Sequence, residues 1–150
     1  MKVLVTTDGS RWSHAAIAKA VALLALERAE VHVLSVANLL PLLAAPEAPL
    51  AGAGPAIAQE TESAVRDGAR AKELLASLGV RATVHERTGN PTHEILDLAR
   101  SLGVDVIVMG AHAHSGLERL LLGSTSDAVL HRWAGACLLL RPAPGDLERL

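Results

Sequence analysis

Short β-branched runs alternate with helical stripes along the whole chain, and that alternation leaves few folds open. Val3–Thr7 (VLVTT), Val31–Ala37 (VHVLSVA), Arg81–Arg87 (RATVHER), Val104–Met109 (VDVIVM) and Ala136–Arg141 (ACLLLR) have the length and composition of strands. Ile17, Ala20, Val21 and Leu24 recur at helical spacing after a capping Ser10, predicting a helix to about Arg28. A second stripe (Ala64, Gly68, Ala71, Leu75) predicts a helix from about Ala58 to Leu78. Asn90 and Pro91 fit the cap and first turn of a third, which Gly103 ends, and Asp127–Trp133 reads as a short fourth. Strands that alternate with helices imply a parallel sheet covered on both faces, an α/β doubly wound domain.

The 150 residues suffice for one domain with a core, and the sequence shows no internal repeat and no second domain. Half the residues are apolar, yet there is no Phe, no Tyr and only two Trp, so Ala, Val, Leu and Ile must fill the interior. A net charge of −2 with scattered Lys and Arg argues against nucleic acid and against a membrane surface as partner. No apolar run approaches the ~20 residues that span a bilayer. The start, MKVLVTTDGS, is unlike a signal peptide, so a cytoplasmic location is expected. The lone Cys137, set among Ala136, Leu138, Leu139 and Leu140, excludes an internal disulfide and suggests a buried, inert thiol.

Residues 38–55 (NLLPLLAAPEAPLAGAGP) carry four prolines and read as a long flexible connection without regular elements, either a lid or an inert insertion. Residues 142–150 read as a tail. The polar strand RATVHER suits a sheet edge. ACLLLR is apolar on both sides, which suits a central strand or an edge covered by a second chain.

In open parallel sheets, ligands bind outside the carboxyl ends of the strands, where the winding reverses. Two segments at such ends carry chemistry. In Gly123-Ser124-Thr125-Ser126, just ahead of a helix, backbone N–H groups and hydroxyls could cradle phosphates, or the hydroxyls could simply cap that helix. Asp8 could bind a ribose hydroxyl or help hold Mg²⁺, or could fold an Asx turn around Gly9, and the two roles are compatible. His112 and His114 form an H-x-H pair without a third ligand nearby, so no direct metal site is expected there. The other five histidines are dispersed along the sequence. Neither a P-loop nor a G-x-G-x-x-G fingerprint occurs.

VLVTTDGS, the GNP before the third helix and VDVIVMGAHAHSGLERLLLGSTSDAVL together resemble the universal stress protein family over essentially the whole chain. Nucleotide-binding members carry G-x-x-G, nine residues, then G-[ST]. Here Gly110 opens that pattern and Gly123-Ser124 closes it, while Ala113 stands at the second glycine. The resemblance implies a single domain over 1–150 with strand order 3-2-1-4-5 and dimerisation through the last strand, residues 136–141. It implies ATP with Mg²⁺ or Mn²⁺ across the ends of the first and fourth strands. Thr6, Thr7 and Asp8 would border the adenosine, and Val36 would meet the adenine through its backbone. Met109 and Gly110 would border ribose and phosphates, and Ala113, Gly123, Ser124, Thr125 and Ser126 would form the phosphate loop. The expected role is a homodimeric ATP-binding stress or signalling module. It would be at most a slow ATPase, since no residue stands out as a general base and no catalytic residue is assigned. The alternative, which Ala113 motivates, is a member that has lost nucleotide binding and acts through protein contacts alone. An adenine-nucleotide hydrolase is disfavoured, because TTDGSRWS lacks that group's Ser-Gly-Gly phosphate loop.

Overall fold

The computed structural model describes residues 1–44, 53–111, 122–143 and 145. The strands are β1 (Lys2–Thr7), β2 (Glu30–Ala37), β3 (Ala82–Thr88), β4 (Val106–Gly110) and β5 (Ala136–Leu140). The helices are α1 (Arg11–Leu24), α2 (Leu40–Leu43), α3 (Gly54–Ser77), α4 (Pro91–Leu102) and α5 (Ser124–Arg132). All strand pairs are parallel, in the order β3-β2-β1-β4-β5. The winding therefore reverses between β1 and β4. ACLLLR is an edge strand, as is the polar β3, so the central-strand reading of ACLLLR does not hold.

Two apolar layers cover the sheet. Val3, Val5, Val31 and Val33 pack against Ala16, Ile17 and Ala20 of α1 and Ala71 and Leu75 of α3. Leu4, Leu34 and Ile107 pack against Ile95, Leu98 and Ala99 of α4 and Val129 of α5. Val3 and Val5 face one layer and Leu4 the other, the period-2 alternation of a strand buried on both faces. Small side chains let the helices approach closely: a Cβ on Gly68 of α3 would stand 2.9 Å from Val84 Cγ1.

Several boundaries differ from the sequence pattern, each for a local reason. Helix α1 stops at Leu24 rather than near Arg28, because Ala25 turns left-handed at φ 48° and Leu26–Arg28 form a 3₁₀ turn. No glycine marks that turn. The prolines of 38–55 do not exclude helix: Pro41 lies in the first turn of α2 and Pro55 in that of α3, where a missing N–H costs nothing. Helix α3 thus begins at Gly54, four residues ahead of the expected start. Helix α5 begins at Ser124 rather than Asp127. Asn90 caps α4 by accepting from His93 N at 3.0 Å, and Gly103 ends it at φ 62°. Cys137 is half-buried rather than buried, and desolvation pushes its thiol pKa up, so the thiolate is disfavoured.

Candidate nucleotide site

The carboxyl ends of β1, β2 and β4 open into one cavity of about 740 Å³, which the first turns of α1 and α5 and residues of α3 and α4 also line. Thr6, Thr7, Asp8, Val36, Met109, Gly110, Gly123, Ser124, Thr125 and Ser126 all line it. Ala113 lies outside the described residues, as do His112 and His114. Residues scattered over 120 positions of sequence thus meet because parallel strands all end on the same side of the sheet.

The β1–α1 turn is held by a chain of hydrogen bonds in which each hydroxyl proton is used. Asp8 Oδ1 accepts from Ser10 N at 3.0 Å and from Ser10 Oγ at 2.6 Å, completing the Asx turn. Ser10 Oγ accepts from Ser13 N at 3.1 Å and so caps α1. Ser13 Oγ donates to Ser10 O at 2.8 Å, so in its 3.1 Å contact with Thr7 Oγ1 it must accept. Thr7 Oγ1 in turn accepts from Gly9 N at 3.1 Å. Thr7, Ser10 and Ser13 are therefore the frame of this turn, and Asp8 lines the cavity beside them. Desolvation pushes the Asp8 pKa up, but the hydrogen bonds to the carboxylate, first those from Ser10 and then that from Ser13, together outweigh it and hold the carboxyl below its ordinary value. Asp8 is thus an anion at neutral pH. Gly9 completes the turn at φ 71°, a left-handed conformation suited to glycine.

At the opposite wall α5 starts without a side-chain cap. Its N-cap is Gly123, and the first amide to find a helical acceptor is Asp127 N, which donates to Gly123 O at 2.9 Å. The amides of Ser124, Thr125 and Ser126 precede that bond, at the positive end of the helix dipole. Ser126 Oγ turns back to donate to Gly123 O at 2.9 Å. Among the described residues, the hydroxyls of Ser124 and Thr125 cap nothing. The capping alternative for GSTS therefore fails among the described residues, and Gly123 to Ser126 line the cavity at the start of α5.

Helix α3 adds residues that sequence reasoning missed: Glu60, Ser63, Ala64 and Asp67 line the same cavity. Their spacing of three, one and three residues puts them on one face. In the sequence Glu60 and Asp67 look like the solvated margin of the Ala64–Gly68–Ala71 stripe, and only the packing of α3 against β2 turns that margin inward. Trp12, half-buried in the first turn of α1, also lines the cavity, with the Arg11 guanidinium 5.9 Å from its ring. Asp8, Glu60 and Asp67 make the described wall acidic, and no Lys or Arg among the described residues lines it.

The family model of the universal stress proteins matches residues 1–141. The chain belongs to the universal stress protein family. It is 34% identical to the universal stress protein YxiE of Bacillus subtilis over 136 residues, which are 85% of this chain and 90% of the relative. The solved structure of MJ0577, a universal stress protein of Methanocaldococcus jannaschii, matches with a TM-score of 0.77 at 27% identity, covering 95% of this chain and 96% of that one. A universal stress protein solved in complex with cAMP matches in fold, with a TM-score of 0.70 at 20% identity over 95% of this chain and 98% of the other. The five-stranded order 3-2-1-4-5 is thus that of the universal stress protein fold. No helix among the described residues is long and apolar enough to cross a membrane.

Proposed function

We propose that this universal stress protein is a stress-response or signalling module that binds ATP with Mg²⁺ or Mn²⁺ in the cavity between β1 and β4. The observation that carries the reading is the α5 terminus. Three amides precede its first helical bond, and two hydroxyls without a capping role stand beside them, in residues that line the cavity shared by the ends of β1, β2 and β4. A volume of about 740 Å³ suits a nucleotide-sized ligand. A family relative solved with a cyclic adenine nucleotide supports the same ligand class.

In this reading the Val36 backbone meets the adenine, the Asp8 carboxylate takes a ribose hydroxyl or the metal, and Gly123 to Ser126 hold phosphates. A divalent cation offsets the charge between phosphates and the acidic wall. The described lining holds no lysine or arginine to stabilise charge developing on a transferring phosphoryl group, so turnover is slow at most. The chain pairs as a homodimer through β5, an edge whose Cys137, Leu138 and Leu139 are only half-buried.

A second reading, binding of protein partners without nucleotide, draws on two observations: the three carboxylates of the cavity and Ala113 in place of the motif's second glycine. Calorimetric titration of ATP with Mg²⁺ into nucleotide-stripped protein, alongside Ala113→Gly, separates the two. Saturable micromolar binding by the unmodified chain upholds the ATP module. Binding by Ala113→Gly alone assigns the chain to the partner-only class, and silence from both removes the phosphate assignment.

A further inference from the structure

Two histidines that lie 53 residues apart in sequence meet on the α4 side of the sheet, away from the nucleotide cavity. The β2–β3 register sets His85 opposite Leu34, two residues along from His32, so the two rings lie on one face of neighbouring strands. His32 Nδ1 and His85 Nε2 are 3.0 Å apart, with ring centroids 5.2 Å apart and planes tilted by 41°. On its other side His32 Nε2 lies 3.0 Å from Glu30 Oε1. The Glu30 carboxylate can only accept, so His32 carries its proton on Nε2 and keeps a lone pair on Nδ1, aimed at His85.

We propose that His32 Nδ1 and His85 Nε2 form a two-imidazole chelate for a divalent transition-metal ion, with Glu30 as the residue that orients His32. Without metal, the proton of His85 Nε2 fills the gap between the rings. Moving it to the outer nitrogen, His85 Nδ1, keeps both rings neutral and leaves a lone pair on each of two nitrogens 3.0 Å apart, and a turn of the rings aims both at an ion beside the line that joins them. Imidazole nitrogens bind such ions at ~2.0 Å, so a 3.0 Å separation subtends about 95° at the ion. That angle suits the tetragonal geometry of Cu²⁺ or Ni²⁺ better than the tetrahedron of Zn²⁺. A carboxylate on the far nitrogen of a ligating histidine is the usual second partner in metal sites, fixing tautomer and ring orientation.

Neighbouring cations are already paired. Lys2 Nζ lies 3.3 Å from Glu30 Oε1, and Arg87 Nη1 binds Glu94 at 3.1 Å and Asp97 at 2.7 Å. His32 is 7% exposed, whereas His85 is half-buried on the edge strand β3, which gives the ion its way in. No group of three or more metal-binding side chains occurs among the described residues, so water completes the coordination and the affinity is moderate.

The test is a titration of the tag-free full chain with CuCl₂ and NiCl₂, read by calorimetry and, for copper, by electron paramagnetic resonance. One saturable site with two coupled nitrogens is expected. His85→Gln should weaken it at least about tenfold, and Glu30→Gln should weaken it about tenfold. His131→Gln, an exposed ring on α5, should leave it unchanged. Absence of saturable binding below ~1 mM overturns the proposal, as does equal affinity in His85→Gln. Should His85→Gln not fold, diethylpyrocarbonate labelling of the unmodified chain decides. Protection of His85 by Cu²⁺ supports the site, and labelling that metal does not change overturns it.

Discussion

The carboxylate of Asp67 occupies the place where a Cβ on Gly9 would have to be. Helix α3 and the β1–α1 turn are therefore fitted to each other at the mouth of the cavity, and this fit makes the turn testable. Gly9→Ala would force an L-residue to φ 71° and drive its methyl into Asp67. The backbone alone should cost about 1–2 kcal/mol. Urea denaturation should show at least that loss, and adding Asp67→Ser should restore only the steric part. Full stability in the single variant would mean that the turn relaxes freely.

The two ends of the α4–α5 layer separate capping from binding. Asn90→Ala removes the α4 cap and should cost ~1 kcal/mol of stability with ATP affinity unchanged. Ser124→Ala with Thr125→Ala removes hydroxyls that cap nothing among the described residues. It should leave stability within ~0.5 kcal/mol but weaken ATP about 30-fold, as expected for two hydrogen bonds of ~1 kcal/mol each. A calorimetric titration beside a thermal melt reads both quantities. A destabilised double variant with intact affinity would refute the assignment.

Three carboxylates with no described counter-cation make the cavity hostile to free ATP. Removal of divalent metal with EDTA should weaken ATP at least about tenfold, since one unscreened charge pair near a protein surface is worth more than 1 kcal/mol. Asp67→Asn should shrink that dependence. Equal affinity with and without metal, measured by equilibrium dialysis, would contradict the charge argument.

His14 Nε2 is buried without a hydrogen-bond partner among the described residues. Desolvation lowers its pKa; Asp67 and Asp8 oppose that and Arg70 assists it, for a net value below that of an ordinary histidine. The unfolded chain therefore takes up this proton first as pH falls. The stability contributed is full above the ordinary value of ~6.5 and is lost as pH drops from there through the folded value. Urea midpoints between pH 7.5 and 5 should fall less in His14→Gln than in the unmodified chain. Identical pH profiles would show that His14 does not titrate on unfolding.

The sequence by itself determined the fold class, and its resemblance to a family implied the strand order and eleven candidate site residues, ten of which line one cavity while Ala113 lies outside the described residues. Fold class was legible because strand runs and helical stripes are local patterns, whereas strand order and site residues came from a motif of fixed spacing shared with a family. Tertiary structure alone decided the rest. Ala25 turns left-handed with no glycine to announce it, and Pro55 starts a helix where composition suggested only a loop. Glu60 and Asp67 join the site because α3 packs its polar margin against the strand ends. His32 and His85, dispersed in sequence, meet because register sets neighbours across strands. Such contacts depend on long-range packing, which no local pattern of residue types encodes.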